Sequence, residues 1–388
     1  MNERMTRVAF VTELPTPYRV PLFERIQDLD GIEVEFLFMA RTESDRSWTV
    51  DVSGLRRKRF LRGHVFEWKG KRSILYHVNP SIFHDLAHGG YDVVSIAGYS
   101  MFTSQASILW CRLTGTPYLL FGESHHQDRR REWVKRVKGF VLPRIVRPAA
   151  GILATGTLSG EYFRSYGADP DRIYRFANTP DVDRIRAECA ALESRRDEIR
   201  AALSLDRDSC AFLYVGRLID VKGVADLVRA AARLDPAKAR VVVVGDGPQA
   251  DDLAALAERE APGRVHFAGF RQGAELMEYY AAADAFVLPS YHEPWGVVVG
   301  EAMAAGLPVI LSDRIGAATD LLRDGENGRS FPARDVSALE NALLDVASSG
   351  ERRAEMARRS DEIIDGWTYE TSVRDFERAV RKASGRSA

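Results

Sequence analysis

The stretch FVLPSYHEPWGVVVGEAMAAGLPVI, residues 286–310, decides the fold. An apolar run over 285–288 predicts a buried strand at its start. Prolines and a glycine over 289–296 then indicate a loop. Apolar and small residues from Val297 predict a helix that ends at Gly306, before a further apolar run. Strand, loop, helix and strand in this order are typical of a doubly wound α/β domain.

Two carboxylates mark this stretch, Glu293 before the helix and Glu301 inside it. On one continuous helix they would lie about 12 Å apart. That is too far for two groups that act on one bond, which need about 5 to 10 Å. We therefore expect them to hold two parts of one long ligand. The helix start between them offers free N–H groups at Gly296, Val297 and Val298, which predicts an anion site.

The spacing from Glu293 to Glu301, followed by AMAAGLPVI, resembles the signature of the retaining GT-B-fold glycosyltransferases of family four, the glycosyl transferases group 1. The resemblance implies an α/β protein of two Rossmann-like, doubly wound domains that face each other across a cleft, with a last helix that crosses back to the first domain. It also implies that Glu293 lies at the donor sugar and Glu301 at the nucleotide ribose. The other expected donor-binding residues of the stretch are Pro294, Trp295, Gly296, Val297 and Val298.

Length and composition fit this expectation. A chain of 388 residues is long enough for two domains. We expect an acceptor-side domain over 1–178, completed by a helix at about 367–383, and a nucleotide-sugar domain over 179–366. The sequence has no apolar run of about 18 residues and no apolar signal core, which predicts a cytoplasmic protein without a membrane span. Its three scattered cysteines predict reduced thiols and no zinc site.

Charge is distributed unevenly. Residues 1–150 contain 23 Lys+Arg and 16 Asp+Glu, a balance of +7, and the remainder contains 31 and 39, a balance of −8. Two basic segments, 56–72 and 129–147, also contain aromatic residues. Such segments bind nucleic acid or an anionic membrane, or form a solvated face or a core-facing helix. We predict reversible contact with the inner membrane face and no nucleic acid partner.

The first domain offers two candidate loops. The loop 13–19 follows an apolar strand at 7–12, and ligands bind at the carboxyl ends of parallel strands. Tyr18 and Arg19 are therefore acceptor-side candidates, with a packed Tyr and a solvated Arg as the alternative; the glycine-rich loop that relatives often have here is missing. The strand at 117–121 is followed by His125 and His126. The resemblance implies one donor-contacting His here, either His125 or His126, with a capping or core His as the alternative. Of the two, His126 is placed among the catalytic candidates and His125 among the acceptor-side candidates.

The second domain has three loops that follow predicted strands. The first, GRLIDVKG over 216–223, resembles the family's G-R-L…K-G loop. Its Arg217 offers a planar fork to phosphate oxygens and Lys222 adds a point charge. The second, GDGP over 245–248, also fits a plain turn. The donor-binding candidates of these two loops also include Gly216, Gly245 and Gly247. The third loop, at 269–271, contains Phe270 and Arg271, which the resemblance implies at the nucleotide base.

These residues and the resemblance together predict transfer of a sugar from a nucleotide-diphosphate sugar to an acceptor hydroxyl, and the resemblance implies retention at the anomeric carbon. Arg217, Lys222 and Glu293 join His126 as the catalytic candidates. The resemblance implies that cationic side chains replace a metal, so we expect no cofactor, and we reject the D-x-D motif at Asp181 as a metal site. The acceptor is expected to be lipid-linked or a glycan, in cell-surface polysaccharide, lipopolysaccharide or glycolipid synthesis. A nucleotide-sugar epimerase, a phosphorylase and a non-catalytic nucleotide-binding protein are the alternatives.

The sequence also predicts the limits of the first sheet. The apolar run 151–155 is expected to be its last strand, and residues 41–80 are expected to be irregular or to form a hairpin.

Overall fold

The computed structural model describes residues 5–43, 50–68, 74–126, 132–235 and 237–385. The chain divides into two compact units. We call Met1–Asn178 together with Tyr369–Ala388 the first domain, and Thr179–Thr368 the second domain.

The first domain is built on a mostly buried parallel sheet. Its strands are β1 (Thr6–Thr12), β2 (Ile32–Phe38), β3 (Lys58–Phe60), β4 (His64–Trp68), β5 (Ile74–Val78), β6 (Val93–Ala97), β7 (Tyr118–Gly122), β8 (Gly151–Ala154) and β9 (Ile173–Arg175). Its helices in this part of the chain are α1 (Val20–Ile26), α2 (Ile82–Gly89), α3 (Phe102–Thr114), α4 (Glu132–Val146) and α5 (Thr157–Ser165). Seven strands form one sheet in the order β3-β2-β1-β6-β7-β8-β9.

Two expectations for this domain can be compared with the structure. The hairpin is confirmed, since β4 and β5 pair antiparallel with His64 opposite Val78. The expectation that 151–155 is the last strand is wrong, because β9 pairs with β8 in parallel and forms the edge of the sheet. The three residues of β9 are too few to show an alternating pattern, so the sequence did not reveal the strand.

The second domain repeats the architecture. Its strands are β10 (Cys210–Val215), β11 (Ala239–Val244), β12 (Val265–Gly269), β13 (Ala285–Leu288), β14 (Val309–Ser312) and β15 (Gly328–Phe331). Its helices are α6 (Val182–Leu192), α7 (Arg196–Ala202), α8 (Val224–Ala231), α9 (Ala250–Glu260), α10 (Ala274–Ala282), α11 (Val297–Ala304), α12 (Ala318–Leu321), α13 (Val336–Ala347) and α14 (Gly350–Ile364). All neighbours in its sheet, ordered β12-β11-β10-β13-β14-β15, are parallel.

The predicted order of strand, loop, helix and strand over residues 285–310 is confirmed element by element. It forms β13, a loop, α11 and β14, and Gly306 follows the helix with φ at +75°. The strand β13 is completely buried, which explains its continuous apolar run.

The last helix, α15 (Tyr369–Ala383), belongs to the first domain. It packs against α1 and strands β7 to β9 of that domain. Phe376 is fully buried and its ring lies 5.9 Å from the rings of Phe10 and Phe176, measured between centroids. This confirms the predicted return of the chain to the first domain.

Each sheet reverses its strand order once. In the second domain the chain proceeds from β10 to β11 on one side and later returns to β13 on the other side. In the first domain the same reversal lies between β1 and β6. Loops that leave neighbouring strands at such a reversal diverge and open a crevice at the carboxyl ends, which is where doubly wound domains bind ligands.

Candidate functional site

The loop after β10 and the loop after β13 lie against each other at the reversal of the second sheet. The Tyr291 N–H donates to the Val221 carbonyl oxygen at 2.8 Å, and the Tyr291 hydroxyl donates to the Asp226 carboxylate at 2.7 Å. A turn over Asp220–Lys222 then directs the Lys222 side chain toward the second loop. Backbone and side-chain contacts therefore fix the two loops together.

Lys222 and Glu293, predicted from separate motifs, form an ion pair. The Lys222 ammonium donates to the Glu293 carboxylate, and the two side chains are only 16% and 15% exposed. The backbone of Glu293 is held on both sides, because its N–H donates to the Arg314 carbonyl and its own carbonyl accepts from the Gly316 N–H. The pair is thus a positioned, partly dehydrated dipole at the carboxyl ends of β10 and β13.

The predicted glycines of the first two loops allow close backbone contact. A Cβ at Gly245 would lie 1.8 Å from the Gly216 carbonyl oxygen, and Gly245 has φ at +151°. The Leu218 N–H also donates to the Asp246 carbonyl at 2.8 Å, which ties the GDGP turn to the Arg217 loop. Gly216, Gly245 and Gly247 therefore bring two loops together, whatever they also contact in a bound ligand.

Helix α11 begins beside the ion pair. Gly296 precedes it with φ at +98°, a conformation that favours glycine, and the Glu293 side chain lies near the position of a Cβ there. The first intrahelical turn starts with the Val299 N–H donating to the Gly296 carbonyl. The N–H groups of Val297 and Val298 belong to the first turn, where a helix has no carbonyl partners for them. The helix start thus offers the predicted anion-binding N–H groups.

Glu301 lies one turn further along α11 and is paired with a tyrosine. Its carboxylate accepts a hydrogen bond from the Tyr280 hydroxyl at 2.8 Å. Burial raises the pKa of Glu301, and the hydrogen bond and the charge of Arg184 oppose that rise. Burial and the nearby carboxylate also raise the pKa of Tyr280 well above its ordinary value. The carboxylate can accept hydrogen bonds from ligand hydroxyls, as the predicted ribose role requires.

The other predicted donor-binding residues differ in how far their side chains are exposed and in which groups they contact. The Trp295 ring is buried and lies 5.3 Å from the Trp367 ring, so this side chain is part of the core of the second domain. Pro294 is exposed, and Phe270 is 39% exposed after the end of β12. Arg271 donates to the Phe270 carbonyl. The half-buried Arg217 has its carbonyl fixed by the Tyr214 hydroxyl at 3.0 Å.

In the first domain, Arg19 is buried rather than solvated. Its guanidinium donates to Glu123 at 2.6 Å and to Asn178 at 3.1 Å, and it lies 4.6 Å from the centroid of the Phe121 ring. The alternative of a solvated Arg is therefore wrong. Tyr18 is half-buried, and its carbonyl accepts from the hydroxyl of Tyr369.

The structure separates the two adjacent histidines. His125 is 2% exposed, whereas His126 is exposed and its Nε2 lies 3.0 Å from the Ser165 hydroxyl. The His126 ring also contacts Tyr162, with the centroids 5.0 Å apart. The catalytic role of His126 and the acceptor-side role of His125 stay predictions.

Sequence reasoning missed a titratable group at the carboxyl edge of the first sheet. Glu13 follows β1, and burial raises its pKa, a rise that Arg19 opposes and that Glu43 and Glu123 reinforce. The fully buried His77 opposes the rise as Arg19 does, and its Nε2 lies 2.9 Å from the Glu43 carboxylate. The position of Glu13 directly after an apolar run was the available signal.

The basic segments lie partly outside the described residues, which exclude 69–73 and 127–131. In the described part, Arg56, Arg57 and Arg59 pair with acidic neighbours, Arg59 with Asp85 at 2.8 Å. This favours the solvated, ion-paired face for that segment. Nowhere in the described ranges is a helix long and apolar enough to span a bilayer.

The D-x-D aspartates have other contacts. Asp181 caps α6 by accepting from the Arg184 N–H at 3.3 Å, and Asp183 faces Arg186 at 3.9 Å. Within the part of the chain that the structure describes, no three His, Cys, Asp or Glu side chains are grouped so that they could hold a metal ion. The three cysteines are free.

Comparison with known proteins gives consistent matches. Residues 195–362 match the family "Glycosyl transferases group 1". D-inositol 3-phosphate glycosyltransferase of Rhodococcus opacus is 33% identical over 237 residues, which are 58% of this chain and 51% of that protein. The lipopolysaccharide core biosynthesis glycosyltransferase LpsE of Rhizobium meliloti is 33% identical over 177 residues, 45% of this chain and 51% of its own length. The chain therefore spans about half the length of the curated relatives it matches.

The fold has solved counterparts over almost the whole chain. The crystal structure of Anabaena HepE in complex with UDP and glucose aligns with a TM-score of 0.73 at 17% identity, and covers 97% of this chain and 99% of HepE. The matched family segment contains the Lys222–Glu293 pair and all of α11. The chain thus has the GT-B fold of two Rossmann-like domains, and its residues 195–362 are similar to the glycosyl transferases group 1 family.

Proposed function

We propose that this chain is a retaining glycosyltransferase that moves a sugar from a nucleotide-diphosphate sugar to an acceptor hydroxyl. The observation that carries the proposal is the Lys222–Glu293 ion pair beside the start of α11, at the strand-order reversal of the second sheet. A cation, a carboxylate and the N–H groups of a helix start then meet where a doubly wound domain binds its ligand.

The chemistry follows from the charge that develops when the sugar leaves. The departing diphosphate gains negative charge, and Arg217, Lys222 and the α11 N-terminus supply positive charge to it. Glu293 is already neutralised by Lys222, which makes its carboxylate a poor nucleophile. We therefore assign Glu293 to the donor sugar hydroxyls and infer same-face attack, with the donor phosphate helping to take the acceptor proton. Glu301 is assigned to the ribose.

We assign acceptor recognition to loops of the first domain. LpsE is a glycosyltransferase of lipopolysaccharide core biosynthesis, which supports a lipid-linked or glycan acceptor, and the UDP in HepE supports a nucleotide donor. The positive balance of residues 1–150 supports a cytoplasmic enzyme that contacts the anionic inner membrane face. Surface-polysaccharide, lipopolysaccharide or glycolipid synthesis is the proposed setting.

The test begins with donor binding. Purified protein is screened against nucleotide sugars by thermal shift, since a ligand at a hundredfold excess over its Kd adds about 2.7 kcal/mol to the free energy of unfolding. Lys222→Ala should lose the shift. Lys238 lies in the same domain and its side chain is 82% exposed, so Lys238→Ala is the matched control and should keep the thermal shift.

The donor found is then incubated with glycan and lipid-linked acceptors, and NMR reads the anomeric configuration of the product. Retention supports the proposal. Inversion would contradict the proposed mechanism. Formation of an epimerised donor without acceptor would instead indicate that the chain is a nucleotide-sugar epimerase.

A further inference from the structure

Two neighbouring helices of the first domain expose large apolar side chains. Six of these side chains are between 44% and 76% exposed: Leu109 and Leu113 on α3, and Trp133, Val137, Phe140 and Val141 on α4. Arg112 on α3 donates to the Arg144 carbonyl on α4 at 2.9 Å, so the carboxyl ends of the two helices are adjacent. We call the six side chains the apolar surface.

Packing in the core does not account for this surface. The four residues of α4 are spaced by four, three and one positions, which places them on one helix face. The opposite side of α4 packs in the core through Leu142 and Val146, which are 1% and 2% exposed. The helix is therefore apolar on two sides, of which one packs in the core and the other is exposed among the residues that the structure describes. Large apolar side chains exposed on one helix face in this way mark an interaction site.

Charge distinguishes between possible occupants. Helices α3 and α4 together carry five basic residues and one acidic residue, Glu132. Arg136 is exposed, and the Arg144 guanidinium lies 3.5 Å from the centroid of the Phe140 ring. A second copy of this chain would bring the same positive charge to the surface. Anionic lipid provides opposite charge for the cations and hydrocarbon for the apolar side chains.

We propose that the apolar surface of α3 and α4 inserts among the lipids of an anionic membrane, with Arg136 and Arg144 at the level of the headgroups. The inference rests on the proposed function for the membrane contact itself. It adds a second physical force to that contact. Binding to lipid through cations alone is abolished by salt, whereas binding through buried apolar area persists at high salt. The inference also places the contact on α3 and α4 rather than on the ion-paired segment at 56–68.

Vesicle flotation tests this without donor or acceptor. The wild type, a Trp133→Ser/Phe140→Ser double variant and the control Leu344→Ser are mixed with vesicles of phosphatidylcholine, with and without phosphatidylglycerol. Leu344 is 44% exposed on α13 of the second domain. The wild type and the control should bind the anionic vesicles and retain part of that binding at about 1 M salt, where the Debye length is about 3 Å. The double variant should bind about tenfold or more weakly at low salt and not at all at high salt.

Three results would overturn the proposal: no flotation of the wild type, equal flotation of the double variant, or complete loss of wild-type binding at high salt. A wild-type dimer that Phe140→Ser dissociates, without lipid binding, would instead assign the surface to a second copy. Circular dichroism checks that the variants remain folded, as substitution of exposed side chains predicts. Donor thermal shifts, measured in parallel, report on the proposed transfer reaction alone, so the two ideas fail separately.

Discussion

The carboxyl edges of the two sheets are built differently, although the topology is the same. In the second domain, glycines let the loops after β10, β11 and β13 touch through their backbones, and one ion pair stands at the strand-order reversal. In the first domain, the loop after β1 has prolines and no glycine, and Arg19 is held by Glu123 and Asn178. One edge is formed chiefly by backbone, the other by a side-chain network.

The difference explains why one edge was predictable and the other was not. An edge formed by close backbone contacts requires glycines at fixed spacing, and these are visible in the sequence. We assign to this edge the diphosphate and ribose that many donors share. A side-chain network depends on which residues meet in space, and Arg19 and Asn178 are 159 positions apart. Substitutions at the carboxyl edge of the second sheet should thus mainly lower kcat. Substitutions at the carboxyl edge of the first sheet should mainly lower the free energy of unfolding or change which acceptor is used.

The largest effect is expected at the ion pair of the second edge. Lys222→Ala removes a positive charge from the leaving diphosphate, so kcat should fall by roughly 10² to 10³-fold. It also leaves the Glu293 carboxylate unpaired, so the melting temperature should fall, and Lys222→Ala/Glu293→Gln should restore it without restoring kcat. Steady-state kinetics and thermal melts measure both. Near-normal kcat would remove Lys222 from catalysis and make the pair merely structural.

The sequence predicted the second domain nearly completely for physical reasons. The strands β10 and β13 are buried on both faces and read as unbroken apolar runs, and helix α11 is delimited by Gly296 and Gly306. Lys222 and Glu293 were predicted as separate motifs; their pairing depends on the contact between Tyr291 and Val221, which no local pattern records.

The first domain was predicted less completely. The three-residue β9 is too short for a periodic signal, and the apolar residues of α4 look the same in sequence whether they face the core or the solvent. The group of Glu13, His77 and Glu43 assembles from loops and a hairpin far apart in the chain. Such tertiary arrangements require the fold before they can be found.

The next effect tests the first edge. Arg19→Ala leaves Glu123 and Asn178 without their guanidinium partner, so the free energy of unfolding should fall by about 1 to 3 kcal/mol. Arg378→Ala, a control in the same domain whose side chain is 64% exposed, should change it by less than about 0.5 kcal/mol. Denaturant unfolding compares the two. An unchanged stability for Arg19→Ala, combined with a raised acceptor KM, would instead make Arg19 a ligand contact.

A smaller and pH-dependent effect is expected at Glu301. Burial raises its folded-state pKa above the unfolded value, so the folded protein holds the proton more tightly and loses stability as pH rises through the folded pKa. Glu301→Gln does not titrate and can still accept from Tyr280. Its melting temperature relative to the wild type should therefore increase from pH 5 to pH 8.

The same variant should weaken donor binding about 10-fold or more, because a charged acceptor of ribose hydroxyls is lost. Titration calorimetry measures the affinity. Unchanged affinity, or a melting difference that shrinks with rising pH, would count against the assigned role and environment of Glu301.

The smallest effect is expected from metal removal, and it tests whether protein cations are sufficient at the second edge. Asp181 caps α6 and Asp183 faces Arg186, so the D-x-D motif at 181–183 is engaged in local contacts. Arg217, Lys222 and the start of α11 already provide positive charge where the diphosphate is proposed to bind. Turnover should therefore change by less than about twofold in excess EDTA, a free-energy difference below about 0.4 kcal/mol. Asp183→Asn should behave like the wild type with and without added Mg²⁺. Activity abolished by EDTA and restored by Mg²⁺ or Mn²⁺ would mean that the protein cations do not suffice, and that the carboxyl edge of the second sheet works with a bound metal ion.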